Sequence, residues 1–200
     1  MRDPLSPSTS RDPGHDWASR TRMSLACLRM PRRAAYSSRV TRLWPEPVER
    51  VRTYLLRAGA EARVEELPLP TRTAAEAARA VGCDLDRIVK ALVLECDGRP
   101  VVAMVPGDRR ADPGKVARAA GVTKARVASP ERVRAATGFE PGAVAPFPLP
   151  QVDRVLIDRS LLRHDWVWAG AGSSRHLVRL SPAELVRLSR AIVTDVAREE

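Results

Sequence analysis

The spacing of hydrophobic and polar residues changes along the chain, and each spacing predicts an element. A first helix is predicted after Pro47, because apolar side chains recur there at helical intervals, at Val48, Val51, Tyr54 and Leu55. Gly59 is expected to end this helix. Residues 62–67 then alternate between apolar and polar side chains, which predicts a short strand.

Four further helices are predicted from the residues that precede them. Thr73 and Glu76 have the spacing of a capping box, and Gly82 is expected to end the helix that they open. The other three helices begin where a capping residue comes directly before a proline, at Asp112-Pro113, Ser129-Pro130 and Ser181-Pro182.

The strands are predicted from short apolar runs. Residues 88–94 form the longest run, and Asp97-Gly98 is the sequence of a two-residue hairpin that would join it to residues 101–105. Three more short strands are expected at residues 152–157, 166–169 and 177–180. This mixture predicts an α+β fold with a curved, mixed, largely antiparallel and barrel-like sheet flanked by helices.

Charge separates the first quarter of the 200-residue chain from the rest. Residues 1–46 contain nine arginines and four acidic residues, which is half of the net charge of +10. This segment is rich in Arg, Pro and Ser without sustained periodicity, so we predict a disordered basic tail at 1–46 and one domain at 47–200. The remaining positive charge favours an anionic partner.

The cysteine and apolar patterns limit the classes of site and location. Cys27, Cys83 and Cys96 form neither a CxxC pair nor a ligand-spaced set with the three histidines, so no metal site is expected. Reduced cysteines favour the cytoplasm. No apolar stretch reaches the length of about 18–20 residues that would span a bilayer, so no membrane association is expected.

Lys90 is the most informative single residue. The chain has 31 arginines and three lysines, yet a lysine stands inside the apolar run Ile88–Leu94. A buried ammonium can change its pKa and can contact an anion as a point charge. Lys90 is therefore either held in a site or reaches out of the strand to solvent.

Three other segments contain candidate site residues, each with a simpler alternative. Gly138 and Gly142 could let the loop 137–147 direct N–H groups at an anion, or the loop could be a plain surface connection. His176, after the small residues 169–174, could carry a proton or donate a hydrogen bond, or be structural. Asp158 could meet a substrate amine, or cap its turn through Ser160.

Five motifs in order resemble the YbaK/EbsC family, whose members are related to the editing domain of bacterial prolyl-tRNA synthetases. The resemblance covers about residues 47–197. It rests on residues 73–78, 88–93, 137–146 and 157–158, and on 170–176 followed by 181–185.

The resemblance implies a metal-independent aminoacyl-tRNA deacylase that acts in trans on the tRNA 3′ end, without a cofactor and with a synthetase as a further candidate partner. It implies Lys90 and Gly142 as catalytic residues. It also implies substrate contacts from Thr73, Ala91, Ala143, Val144, Asp158, Gly170, Gly172 and His176.

The chain departs from the family pattern around the implied site. Ala143 stands where the family often has a second glycine, and Ala145 replaces a serine or proline. Pro148-Leu149 replaces a Gly-His pair, and Ala91 replaces a hydroxyl residue of some subfamilies. An alternative is therefore an inactive domain of this family that binds tRNA or a synthetase.

Overall fold

The computed structural model describes residues 44–198 of the chain. The predicted tail at 1–46 therefore lies outside the described residues except for its last three positions, and the first helix already begins at Glu46. Five helices are described: α1 (Glu46–Arg57), α2 (Ala74–Val81), α3 (Pro113–Ala120), α4 (Pro130–Thr137) and α5 (Pro182–Ser189). Two short 3₁₀ turns lie at Leu85–Arg87 and Arg159–Arg163.

Eight strands form one mixed sheet. They are β1 (Ala62–Glu66), β2 (Ile88–Cys96), β3 (Arg99–Pro106), β4 (Ala125–Val127), β5 (Arg154–Asp158), β6 (Val167–Ser173), β7 (His176–Leu180) and β8 (Ile192–Thr194). The strand order is β1-β7-β6-β2-β3-β5-β8, and β4 pairs with β2 beside β6. β1 and β8 are the two ends, so the sheet is open and does not close into a barrel.

The helices begin where the capping residues predict. Thr73 Oγ1 accepts a hydrogen bond from the N–H of Glu76 at 3.2 Å, and the Glu76 carboxylate accepts one from the N–H of Thr73 at 3.3 Å. Asp112 caps α3 by accepting from the N–H of Lys115 at 2.9 Å. Each of these bonds satisfies a backbone donor that the first helical turn leaves unpaired.

The two faces of β2 belong to different parts of the core. Val89 and Val93 pack with residues of α1 and α5 on one face, whereas Leu94 and Cys96 pack with residues of α3 on the other. Since side chains alternate along a strand, Ala91 lies on the first face, and Lys90 and Leu92 lie on the second. The hairpin at Asp97-Gly98 is confirmed, with Cys96 paired to Arg99.

The sequence does not predict two of the strands. β4 and β8 have three residues each, which is too short for a periodic pattern, and each is added to the edge of a longer strand. β6 extends to Ser173, beyond the predicted end at residue 169, because a register shift between Gly170 and Ser173 lets it continue beside β7.

Candidate functional site

A cavity of about 430 Å³ opens where the edge of β2 is left unpaired. β6 pairs with β2 only at Ile88 and Val89, and β4 pairs with it only from Leu94 to Cys96. The gap between these two strands exposes the middle of β2. The start of α2, the segment from β4 to α4, the loop 141–144 and the end of β6 supply the other walls.

The backbone of Ala91 faces this cavity. Cys96 and Arg99 close the hairpin as a hydrogen-bonded pair, so every second residue of β2 from Cys96 backwards is bonded to β3. The residues between them, which include Ala91 and Val93, direct their N–H and C=O groups to the other edge of β2. The Val93 carbonyl accepts a hydrogen bond from the N–H of Ala128 at 3.0 Å, as this register requires. Ala91 has no partner strand at the same edge within residues 44–198, so its N–H and C=O are presented to a ligand.

Lys90 also lines the cavity, and its ammonium is fixed by the turn that follows β3. Lys90 Nζ donates hydrogen bonds to the carbonyl oxygens of Gly107, at 2.9 Å, and of Arg109. An ammonium has three N–H donors, so one is left for a ligand. Burial lowers the pKa of Lys90 from its ordinary value; the charge of Asp108 opposes this shift, and that of Arg110 adds to it.

Gly142 occupies the third position of a tight turn on the opposite wall. The Glu140 carbonyl accepts a hydrogen bond from the N–H of Ala143 at 2.9 Å, and Gly142 has a φ of +84°. With Pro141 at the second position, this is the pattern of a type II turn, which favours glycine at the third. Within the described residues, no acceptor pairs with the N–H of Gly142.

Ser173 brings a hydroxyl to the cavity, and His176 lies behind it. The Ser173 Oγ and His176 Nδ1 atoms are 2.6 Å apart, and the donor depends on the histidine tautomer. His176 is buried, with its ring centroid 5.4 Å from that of Trp44. The Ser173 Oγ also accepts a hydrogen bond from the N–H of Arg175 at 3.2 Å, so two neighbours hold this hydroxyl in place. Ser173 lines the cavity, and His176 does not.

Six of the predicted site residues line the cavity: Lys90, Gly142, Thr73, Ala91, Val144 and Gly170. The Thr73 hydroxyl accepts the capping bond of α2, and its O–H donor is not used by that bond. Gly170 allows β6 to approach the loop, because a Cβ at this position would lie 2.9 Å from the Val144 carbonyl oxygen.

The other four predicted residues do not line it: Ala143, Asp158, Gly172 and His176. Ala143 is buried beside the cavity wall. Gly172 has a φ of +95° and meets the Pro47 carbonyl, where a Cβ would lie 2.8 Å from the oxygen. A glycine is needed at this position because β6 passes too close to Pro47 for a side chain to fit.

Asp158 joins two segments away from the cavity. Its carboxylate accepts hydrogen bonds from the N–H groups of Ser160, Val196 and Ala197, at 3.0, 2.9 and 2.8 Å. Burial raises the pKa of Asp158, but these bonds and one from the Ser160 hydroxyl outweigh it, so the pKa lies below its ordinary value. Asp158 therefore caps its own turn through Ser160, as the simpler of the two interpretations predicts. It also holds the segment that follows β8, through the N–H groups of Val196 and Ala197.

Comparison with known proteins identifies the family. A family profile described as the aminoacyl-tRNA editing domain matches residues 69–188, which include α2, β2, the glycine turn and Ser173. The chain belongs to the aminoacyl-tRNA editing domain family. The cavity of this editing domain is therefore in the part of the chain that the family shares.

Individual relatives agree with this assignment. The uncharacterized protein YwhH of Bacillus subtilis is 36% identical over 140 residues, which are 70% of this chain and 88% of that protein. A proline–tRNA ligase of Maridesulfovibrio salexigens is 32% identical over 120 residues, 59% of this chain but only 20% of the ligase. The editing domain thus corresponds to a small part of that enzyme.

A solved structure of similar fold spans nearly all of the editing domain. It is a candidate trans-editing enzyme for prolyl tRNA synthetase, and it superposes with a TM-score of 0.73 at 38% identity. The match covers 78% of this chain and 100% of that structure. The α+β fold with its mixed sheet is therefore that of known editing domains.

The sequence did not indicate three residues that matter at the cavity. Ser173 and Val127 line it, and Gly107 holds Lys90 in place. Gly107 fixes Lys90, and the Pro-Gly-Asp turn signal after β3 could have indicated it. Ser173 is one of several small residues in its segment, and the sequence does not distinguish it from the others. Its partner His176 does not belong to a recognisable motif either. Val127 lies in β4, which has no sequence signal.

Residues 44–198 were searched for metal-binding groups and for membrane-spanning helices. In this range, no group of three or more His, Cys, Asp or Glu side chains could hold a metal ion. No helix in the same range is long and apolar enough to cross a membrane.

Proposed function

We propose that this chain is an aminoacyl-tRNA deacylase that acts in trans on the ester between a small amino acid and the tRNA 3′ end. The observation that carries the proposal is the open edge of β2, where Lys90, Ala91 and Gly142 line one cavity. Within residues 44–198, the N–H groups of Ala91 and Gly142 have no backbone acceptor, and one Lys90 donor is not used by the carbonyls of Gly107 and Arg109. Membership of the editing-domain family and the similarity to a candidate trans-editing enzyme support it.

These donors suit ester hydrolysis. Water adds to the ester carbonyl, negative charge develops on its oxygen, and N–H groups directed at that oxygen stabilise the charge. The bond from the carbonyl carbon to the ribose oxygen then breaks, a proton passes to that oxygen, and the amino acid and tRNA leave. Lys90 is assigned to a substrate oxygen as a fixed cation, and it is not the nucleophile because its ammonium is held in hydrogen bonds.

The size and lining of the cavity favour a small amino acid. Its volume of about 430 Å³ would have to hold both the aminoacyl group and part of the terminal adenosine. Much of the wall near the glycine turn is apolar, from Val93, Val133, Val144 and Leu177. A large side chain would therefore compete with the nucleotide for space. Alanine, serine, cysteine and proline are the amino acids to test.

The test is deacylation of a panel of tRNAs charged with these four amino acids, by the wild-type chain and by Lys90→Ala. We expect the wild-type chain to hydrolyse at least one ester and Lys90→Ala to lose this activity by about 100-fold or more, on the order of one oxyanion donor. Lys124→Ala is the matched control, because Lys124 is an exposed lysine that does not line the cavity. Circular dichroism checks that each variant is folded.

Two results would contradict the proposal. Full activity of folded Lys90→Ala would remove the assigned role of this lysine. Binding of charged tRNA without loss of any ester would instead favour the inactive, tRNA-binding alternative.

A further inference from the structure

A second cavity, of about 350 Å³, lies beside the first. It is on the face of β2 that packs toward α3, and its lining includes Lys90, Leu92, Leu94, Arg110, Val127 and Arg198. Lys90, Leu92 and Val127 line both cavities. The two spaces are therefore neighbours across the open edge of β2, with Lys90 between them.

The floor of the second cavity is apolar, and part of it is exposed. Leu92 is partly exposed on this face of β2, and Val127 in β4 has 66% of its surface exposed, whereas Leu94 is fully buried. An exposed β-branched side chain next to leucines offers a flat surface for an apolar group. A nucleobase is a ligand group of this shape.

Two exposed arginines, Arg110 and Arg198, border this floor. The segment that carries Arg198 is fixed beside Arg110, since the N–H of Arg198 donates to the Arg110 carbonyl at 2.8 Å. Neither guanidinium forms an ion pair within residues 44–198, whereas many other arginines of the domain do. The charge of Arg198 contributes to the lowered pKa of the Asp112 carboxylate, which also caps α3, so this carboxylate offsets part of the positive charge.

We propose that this second cavity binds the nucleotide that precedes the terminal adenosine of the tRNA substrate. The inference rests on the proposed function, because it assumes that the aminoacyl end occupies the first cavity. The base packs against Leu92 and the exposed Val127, and the guanidinium groups of Arg110 and Arg198 contact the base plane and the adjoining phosphates. Single-stranded RNA bases are commonly recognised by stacking on aromatic side chains or on arginine guanidinium planes, and in this cavity the two arginines supply that contact.

Adjacency and charge select this occupant. The last nucleotides of a tRNA are single-stranded and directly linked, so a ligand in the first cavity places its preceding nucleotide next to it. A free amino acid or an isolated ester would bring no phosphate to Arg110 and Arg198, neither of which forms an ion pair within residues 44–198. A polyanion with one base for each phosphate matches both the apolar floor and the charged border.

The experiment compares two substrates with the double variant Arg110→Ala/Arg198→Ala. One substrate is aminoacyl-tRNA, and the other is the matching 3′-aminoacyl-adenosine, which has no preceding nucleotide. We expect kcat/KM for aminoacyl-tRNA to fall about tenfold or more and that for aminoacyl-adenosine to stay unchanged. Arg57→Ala/Arg159→Ala removes the same charge from exposed positions that line neither cavity, and is expected to have a smaller effect.

A binding measurement tests the cavity without requiring activity. Uncharged tRNA shortened by one nucleotide keeps the proposed ligand, and tRNA shortened by two loses it. The wild-type chain should bind the first about tenfold more tightly, and Arg110→Ala/Arg198→Ala should bind both equally. If the wild-type chain binds the two shortened tRNAs equally, or if the variant keeps the wild-type preference for the longer one, the second cavity is not a nucleotide site. This conclusion would hold even if deacylation is confirmed.

The kinetic outcomes are equally decisive. A loss of kcat/KM that is the same for aminoacyl-tRNA and aminoacyl-adenosine would mean that the two arginines act on the first cavity, against the proposal. A loss no greater than that of the control pair would mean that they contribute only general positive charge, which also contradicts it. If the wild-type chain hydrolyses neither substrate, the proposed function fails, and the two shortened tRNAs still decide whether the cavity binds a nucleotide.

Discussion

Lys90 and Gly142 line the same cavity, and both depend on turn geometry. Lys90 is held by the carbonyls of Gly107 and Arg109, so its cation cannot swing freely to solvent. Gly142 depends on a positive φ that directs its N–H away from the turn. At the scale of single residues, the site is therefore built from turn geometry as much as from side-chain chemistry.

Gly142→Ala tests this dependence on turn geometry. A side chain at φ +84° is strained by about 1–2 kcal/mol, and the strain favours a type I turn in which the N–H of residue 142 rotates away. We expect kcat for deacylation to fall by about 100-fold, comparable with the loss of one oxyanion donor. The measurement is single-turnover deacylation of the best substrate from the panel.

Gly98→Ala is the matched control for that substitution. Gly98 has a φ of +81° in the β2–β3 hairpin, no atom lies within 4 Å of a Cβ placed there, and it does not line the cavity. It should lose similar stability but keep its deacylation rate. Equal rates for the two folded variants would show that the N–H of Gly142 has no role.

At the scale of elements, the unpaired edge of β2 defines the site. β6 and β4 pair with β2 on either side of Ala91 and leave a gap that one continuous strand would close. Gly170 then lets β6 meet the Val144 carbonyl at a distance that a larger residue would prevent. The cavity is thus a consequence of strand order and of one missing side chain.

The sequence predicts the elements well where the signal is local. Capping residues and glycines give the helix ends, and Asp97-Gly98 gives the hairpin, because these patterns act within a few residues. The gap beside Ala91 could not be predicted, since it depends on the pairing of β2 with β4 and β6, which are distant in sequence. The position of Ser173 beside His176 likewise depends on the bulge in β6.

Asp158 gives a prediction on the acid stability of the fold. Its folded-state pKa lies below its unfolded-state value, so its contribution to stability is present above the unfolded pKa of about 4 and is lost as pH falls through the folded pKa. Asp158→Asn should lower the free energy of unfolding by about 1.5–3 kcal/mol at pH 7, because hydrogen bonds to a charged group are weakened. Urea unfolding at several pH values measures this.

The pH dependence separates this role from general surface charge. The stability difference between the wild-type chain and Asp158→Asn should begin to narrow below about pH 4, where this carboxylate is protonated in the unfolded chain, and should continue to narrow down to the lower pKa of the folded state. Asp165→Asn changes an exposed carboxylate that has no hydrogen bond within the described residues, and should leave stability nearly unchanged. A pH-independent difference for Asp158→Asn would contradict the assignment.

At the scale of the whole molecule, the apolar core lies on both faces of the sheet, and the arginines lie mostly at the surface of the domain. Both faces of the sheet are covered, by α1 and α5 on one and by α3 on the other. Arginines lie around this core, and residues 1–46 add nine more with a net charge of +5. The proposed RNA substrate is a polyanion, so these charges are expected to contribute to its binding.

Deletion of residues 1–43 tests how much of this charge contributes to tRNA binding. We expect weaker binding and a smaller dependence of log K on log salt concentration, because the slope falls by about 0.7–0.9 for each phosphate that the protein no longer neutralises. Hydrolysis of aminoacyl-adenosine should not change, since every residue that lines the two cavities lies after residue 43. A full-length variant with its nine N-terminal arginines changed to glutamine should match the deletion, which would assign the effect to charge. Unchanged affinity and slope would confine tRNA binding to the editing domain itself.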